Sequence, residues 1–276
     1  MIYELSKNNF ANIKSITKGI SHYQSIHAMI KESAQVRVWV DFREKPRSAL
    51  IWDLVNTFLY LVGDSNNKNF NSGIQKTIKE IIIPKFLEWK IKKIYFFTST
   101  IEWEKQIQLL FNESEFNKHI MRHYIYNKKN YNLIKNWQEK IPSHFNIKRI
   151  TKEFLENEKF TNNEEVTYCV IALWQTIERY DKESIGFCLR DKQAIAAWCT
   201  TDYIVENDCE LYIETFNGFK RKGYATLVAS ATIEECLKRN YTIHWHCWET
   251  HISSVKTAVK IGFELKNQDP VLSLTL

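Results

Sequence analysis

The chain has 276 residues, 44% of them hydrophobic and 14% aromatic, enough apolar material to bury a sizeable core in one large or two modest domains. No apolar run approaches the roughly 18 residues that span a bilayer, and Met1-Ile2-Tyr3-Glu4 lacks the basic start and apolar stretch of a secretory leader, so a cytoplasmic protein with no membrane partner is expected. The net charge of +6 is unevenly divided: the first 150 residues are strongly basic and the rest are acidic overall. Because the lysines of the basic half are scattered through stretches such as Asn127-Lys128-Lys129-Asn130, a solvated face is favoured over a nucleic-acid partner.

In chain order, Val36–Asp41, Ala49–Asp53 and Thr57–Val62 read as extended. Ile74–Trp89 has helical apolar spacing that Pro84 should kink or split, Lys93–Phe97 is a buried-type strand, and Ile101–Phe111 is an amphipathic helix. A polar segment, Asn127–Lys148, follows; Pro142 forces Ile141 out of helical geometry, and the division between two domains is placed there, as residues 1–145 and 146–276. Ile141–Ile150 then leads in as a strand, and Phe160–Tyr180 looks helical. Gly186–Leu189 and Gln193–Val205 pair as strands, and Asp269–Leu276, with alternating Val271, Leu272 and Leu274, adds a last strand to the second half. The order of elements in the first half echoes the second without sequence identity, which a duplicated fold explains economically.

All six cysteines lie in the second half with no CxxC pair, so they read as small core hydrophobes rather than as a zinc knuckle, redox motif or disulfide framework. His244 and His246 share a strand face, but a zinc site needs a third ligand and an orienting partner; packing or substrate contact is the favoured reading, and no metal is expected.

The most informative segment is Phe219-Lys220-Arg221-Lys222-Gly223-Tyr224-Ala225-Thr226, in a chain with only seven glycines. Cys209–Phe216 alternates like a strand before it, and Tyr224, Leu227, Val228 and Ala231 recur at helical spacing after it. A helix that opens at such a turn points unsatisfied N–H groups and a positive dipole end at the turn, and three basic residues add full charges, which makes a pyrophosphate cradle. Neither GxxxxGK followed by Ser or Thr nor GxGxxG is present, so a nucleotide P-loop and a dinucleotide fold are not indicated.

What stands there, Lys220-x-x-Gly223-x-Ala225, is similar to the R/Q-x-x-G-x-G/A signature of the GNAT acyltransferase superfamily. Ile243–Trp248 reads as the next strand, and His251-Ile252-Ser253-Ser254 through Lys260-Ile261-Gly262-Phe263 resembles the N-x-x-S/A-x-x-L-A/Y-x-K-x-G-F helix that closes that family's cofactor cleft. Together with Gly186-Phe187-Cys188, Glu210–Thr215 and Trp245-His246-Cys247, these elements resemble tandem GNAT enzymes, whose relatives include acetyltransferases that protect antibiotic producers. The likeness covers about the last ninety residues by motif and the first half by element order alone. It implies an α/β (α+β) GNAT fold, a mixed, mostly antiparallel sheet flanked by helices, with a degenerate first half that binds no cofactor.

The resemblance further implies acetyl-CoA as co-substrate, a small-molecule amine as acceptor, and direct transfer without a covalent enzyme intermediate; a homodimer is left open. The backbone from Ile213 to Thr215 would bond the pantetheine arm, and Lys220, Arg221, Lys222, Gly223, Tyr224, Ala225, Thr226, His251 and Ser254 would meet the remainder of the cofactor. Glu210, near the start of its strand, is the candidate general base, against the plainer reading of a carboxylate on a polar face. The tyrosine that usually protonates the leaving thiolate is replaced by Ala258, which points alternatively to a catalytically silent module that senses acyl-CoA or binds a partner. Trp198 and Trp248 are candidates for the acceptor pocket.

Overall fold

The computed structural model describes residues 2–157 and 159–276. Contacts group residues 1–121 and 268–276 into a first unit and residues 122–267 into a second. The expected boundary at 145/146 therefore falls inside the second unit, because the long strand β6 (Phe116–Tyr126), hidden in sequence by its charged residues, already carries the chain into it.

In the first unit, β1 (Tyr3–Glu4), β2 (Val36–Val40), β3 (Ser48–Asp53) and β4 (Phe58–Gly63) are antiparallel neighbours, and β5 (Lys93–Thr98) runs parallel to β4. Next to β5 lies the end of β12 (Phe263–Thr275), with Val271 opposite Phe97 and Thr275 opposite Lys93. That corrects the expectation that the C-terminal strand completes the second half: Leu272 and Leu274 bury their side chains in the first unit's core with Phe96 and Ile94. The first unit also contains α1 (Gln24–Ile30) and α4 (Ile101–Leu110).

Phe70, Ile74, Ile78, Ile82 and Phe86 are all buried, a stripe with a spacing of four that would drift around an ideal α-helix. The chain meets it with α2 (Lys68–Thr77), one wide π turn at Ile78–Ile82, and α3 (Ile83–Glu88). Pro84, which has no N–H to give, sits in the first turn of α3, so the disturbance expected of it appears as a change of helix type.

The second unit repeats this order. Strands β7 (Asn146–Arg149), β8 (Gly186–Arg190), β9 (Ile195–Val205) and β10 (Asp208–Thr215) are antiparallel neighbours, β11 (Thr242–Trp248) is parallel to β10, and β6 follows β11. The helices are α5 (Lys152–Asn157), α6 (Asn163–Trp174), α7 (Ile177–Glu183), α8 (Tyr224–Lys238) and α9 (Ile252–Ile261). The stretch read as one helix breaks at Gln175, whose φ is +72°.

One face of this sheet packs on α8 and α9 through Cys199, Leu211, Val228, Ile233, Trp245, Ala258 and Ile261. On the other, Trp174 donates its indole N–H to the Thr201 carbonyl at 3.1 Å, and Tyr180 is fully buried. β9 is covered on both sides and buries nearly every residue, which explains its unbroken apolar and small-residue run. Among the described residues no helix is long and apolar enough to cross a membrane.

Candidate active site

The site begins with two strands that part. β10 and β11 are paired only from Asp208–Glu210 against Thr242–His244, yet β10 stays paired with β9 as far as Thr215. Where they separate, the register of β9 on β10 slips between Cys209 and Leu211, and β9 carries the extra residue. A bulge of this kind sharpens local twist and turns β10 away from β11. The edge of β10 from Tyr212 to Thr215 is thereby left open on the β11 side, with backbone donors and acceptors available to an extended ligand.

A cleft of about 640 Å³ occupies the gap. Ile213 and Thr215 line it from β10, as do Tyr212 and Glu214 from the opposite side of the same strand, so the cleft opens to both faces of the sheet. Its floor is the turn before α8, with Lys220, Arg221, Gly223, Ala225 and Thr226; its far wall is Trp245 with His251, Ser253, Ser254 and Thr257.

The turn is built for an anion. Arg221 and Gly223 have φ of +63° and +82°, and an alternation of left- and right-handed residues curls successive N–H groups inward. An ideal Cβ on Gly223 would meet nothing within 4 Å, so glycine is required there by backbone conformation and not by crowding. Gly223 is also the N-cap of α8, no side chain caps that end, and fifteen aligned residues add a positive dipole end to the Arg221 and Lys220 charges.

Lys220 also acts across the cleft on Glu214. Burial pushes the Glu214 carboxyl above the usual range and Glu165 adds to the shift, while Trp198 and the Lys220 ammonium oppose it. Burial raises the Tyr212 phenol further, and Cys169, Glu214 and Asp202 work in the same direction. The cleft thus has a basic floor on the α8 side and an acidic, partly dry wall on the opposite face.

Two residues assigned to the cofactor from sequence direct their side chains elsewhere. The Tyr224 ring is buried against Phe145 at 5.0 Å, and the Lys222 ammonium lies 5.7 Å from the centre of the Phe219 ring; only their backbone belongs to the turn. Ser254 lines the cleft but also accepts the Trp245 indole N–H at 3.1 Å, so it holds the wall together. Ala258 is fully buried in the core. Trp198 is also buried outside the lining, which takes Trp245 instead. Glu214, the lesser base candidate on the Glu210 face, lines the cleft, whereas Tyr212, Trp245, Ser253 and Thr257 are lining residues that sequence reasoning did not assign to the site; strand and helix spacing from Thr215 and Ser254 was the available signal.

Glu210 stands two residues before Tyr212 on the same strand face and is not among the lining residues. Its Oε1 is 2.8 Å from His246 Nδ1. His244 Nε2 lies 3.0 Å from Asp208 Oδ1, and His244 Nδ1 lies 2.9 Å from Nε2 of His123 on β6. Burial lowers the His244 imidazole against the opposing pull of Asp208 and Glu210. The His123 ring stacks on His246 at 4.4 Å and on His244 at 5.1 Å, and two imidazolium ions at about 4 Å would repel by about 4 kcal/mol at an effective dielectric of 20. The third histidine that sequence did not supply is therefore present, but its ring nitrogen meets another ring nitrogen, and among the described residues no group is arranged to hold a metal ion.

The strands that part, the uncapped helix and the basic glycine turn frame one cleft, and the model of the GNAT acetyltransferase family matches residues 14–271. The chain belongs to the GNAT acetyltransferase family. This acetyltransferase is 20% identical over 264 residues to the uncharacterized N-acetyltransferase YdfB of Bacillus subtilis (strain 168), covering 96% of this chain and 95% of that one. Its fold matches the GCN5-related N-acetyltransferase-like protein of Streptococcus suis 89/1591 with a TM-score of 0.70 at 16% identity, over 98% of this chain and 100% of the other. It also matches a tandem GNAT protein from the clavulanic acid biosynthesis pathway with a TM-score of 0.60 at 9% identity, over 99% and 97%. The GNAT enzyme fold expected from the motifs is thus the fold observed.

Proposed function

We propose that this acyltransferase uses acetyl-CoA and transfers the acetyl group directly to a primary amine of a small molecule, within the cleft of the second unit. The observation that carries the reading is the pairing of an open β10 edge with an uncapped, glycine-led α8. The first suits the amide-rich pantetheine arm and the second suits a diphosphate. The backbone from Ile213 to Thr215 would hold the arm; Lys220, Arg221 and the amides of the Gly223–Thr226 turn would hold the diphosphate, with His251 and Ser254 on the opposite wall. The acetyl group would then emerge on the face that carries Tyr212, Glu214 and Glu210, where an acidic wall suits a cationic amine. Transfer there gains from proximity and from backbone N–H groups aimed at the developing oxyanion.

The first unit is, on this account, a copy that takes no cofactor. β4 and β5 stay paired from Phe58–Leu61 against Tyr95–Thr98 where their counterparts part, and Tyr60 and Phe58 pack on Phe97. The helix that follows β4 is capped by its own Asn67, whose side chain accepts the Phe70 N–H.

Thiol release from acetyl-CoA, measured with a panel of spermidine, L-lysine and an aminoglycoside, tests the reading. Amine-dependent release is expected. The second reading, a silent module that senses acyl-CoA, is favoured by the buried alanine at position 258 and would show acetyl-CoA binding with no amine-dependent release.

A further inference from the structure

The open edge of β10 leads at its C-terminal end into the glycine turn. A pantetheine arm bound there would run from Thr215 back toward Ile213, and its thioester would lie toward Tyr212, near the point where β10 and β11 meet. Glu214 lines the same cleft on the Tyr212 face of the strand, two residues or roughly 7 Å away.

Around Glu214 the charge is one-sided. Burial and the Glu165 charge push its carboxyl up, and they outweigh the Trp198 indole and the Lys220 ammonium. Glu165 lies in the first turn of α6, one helical turn from Cys169, and Cys169 acts on Tyr212 and Glu214, so α6 runs beside this stretch of β10. Asp202 adds to the negative field at Tyr212, and among the described residues neither Glu165 nor Glu214 forms an ion pair. Trp198, opposite Glu214 on β9 and fully buried, makes no hydrogen bond of ordinary length with its indole N–H, yet acts on that carboxyl.

Lys220 is the basic side chain that acts on Glu214, and it belongs to the floor that would take the diphosphate. With the cofactor bound, its charge is shared with phosphate oxygens, and Glu214 is left with surplus negative charge that a cation on the acceptor can neutralise. That cation is not the reacting nitrogen. An ammonium has no lone pair, and the attacking amine must be neutral when it meets the thioester beside Tyr212.

We propose that Glu214 selects acceptors that carry a second positive charge about 7 Å from the nitrogen that is acetylated, which are diamines and polyamines, with Glu165 reinforcing the field. This rests on the reading of the second unit as an amine acetyltransferase and names its acceptor class. The transfer itself is unchanged: the neutral nitrogen bonds the thioester carbon, the C–S bond breaks with its electron pair on sulfur, and the displaced N–H proton ends on the thiol. A carboxylate beside the second ammonium would face the same acidic wall and be disfavoured.

The test compares pentylamine, pentane-1,5-diamine and L-lysine, which is that diamine with a carboxylate added, by kcat/KM for thiol release at saturating acetyl-CoA. The diamine should exceed pentylamine at least about tenfold, with L-lysine below the diamine. Glu214→Gln should bring the ratio of diamine to pentylamine close to one, and Glu165→Gln should lower it about two- to fivefold. Pentylamine or L-lysine used as well as the diamine overturns the proposal, as does a ratio unmoved by Glu214→Gln, and each of these leaves the acetyltransferase reading standing. Thiol release with none of these amines, nor with spermidine or the aminoglycoside, sinks both.

Discussion

Gly223 shows what a single residue decides. With open space around its Cβ position and φ of +82°, a larger side chain has room but the wrong backbone preference. Gly223→Val should raise the left-handed conformation by roughly 1–2 kcal/mol or more and weaken acetyl-CoA binding at least about tenfold, with the fold intact by circular dichroism. Unchanged affinity in calorimetry would show that the turn does not bind the diphosphate. The histidines set a pH dependence. His244 and His119 both lie below the ordinary imidazole value, each through burial first, so the unfolded chain binds their protons more readily. Stability from these groups is present above about pH 6.5 and is lost as pH falls through their folded values; denaturant midpoints should therefore decline from pH 7 to 5, and His244→Asn should flatten the decline. Much of the site was legible at this scale because Lys220, Gly223, Ala225 and Ser254 sit at motif spacing. The outward turn of Lys222 and the burial of Tyr224 were not, since both depend on packing against Phe219 and Phe145, which distant residues settle.

At the scale of elements, the same order of strands and helices yields a cleft in one unit and a closed sheet in the other. The difference lies in how much strand is left beyond the parallel pairing: three residue pairs end at Glu210 with β10 running on to Thr215, whereas four pairs end at Leu61 with β4 stopping at Gly63. Trp103 secures the closed form: it is fully buried on α4 and donates its indole N–H to the Gly63 carbonyl at 2.9 Å, where β4 ends. Trp103→Ala should cost about 3–5 kcal/mol in chemical denaturation while leaving acetyl-CoA affinity unchanged. In the second unit, Gly262 ends α9 at φ of +108°, and a Cβ there would lie 2.6 Å from that of Asn130. Gly262→Ala should destabilise the cleft-closing helix by about 1–3 kcal/mol and weaken cofactor binding, read by denaturation and calorimetry. Strand and helix periods were readable here because burial repeats every second or every third to fourth residue. The partners of β6 and β12 were not, since alternation marks a strand without naming its neighbour.

For the whole chain, one proposed cofactor cleft serves a sequence that carries the fold's element order twice. Calorimetry with acetyl-CoA should give one site per chain, and two sites would contradict the closed reading of the first unit. The central claim is that backbone amides of residues 221–226 grip the diphosphate of coenzyme A. A crystal structure of the complex with acetyl-CoA should place diphosphate oxygens within about 3.2 Å of those amide nitrogens, with the pantetheine arm along Ile213–Thr215. A diphosphate lodged elsewhere, with the glycine turn facing only solvent, would contradict it.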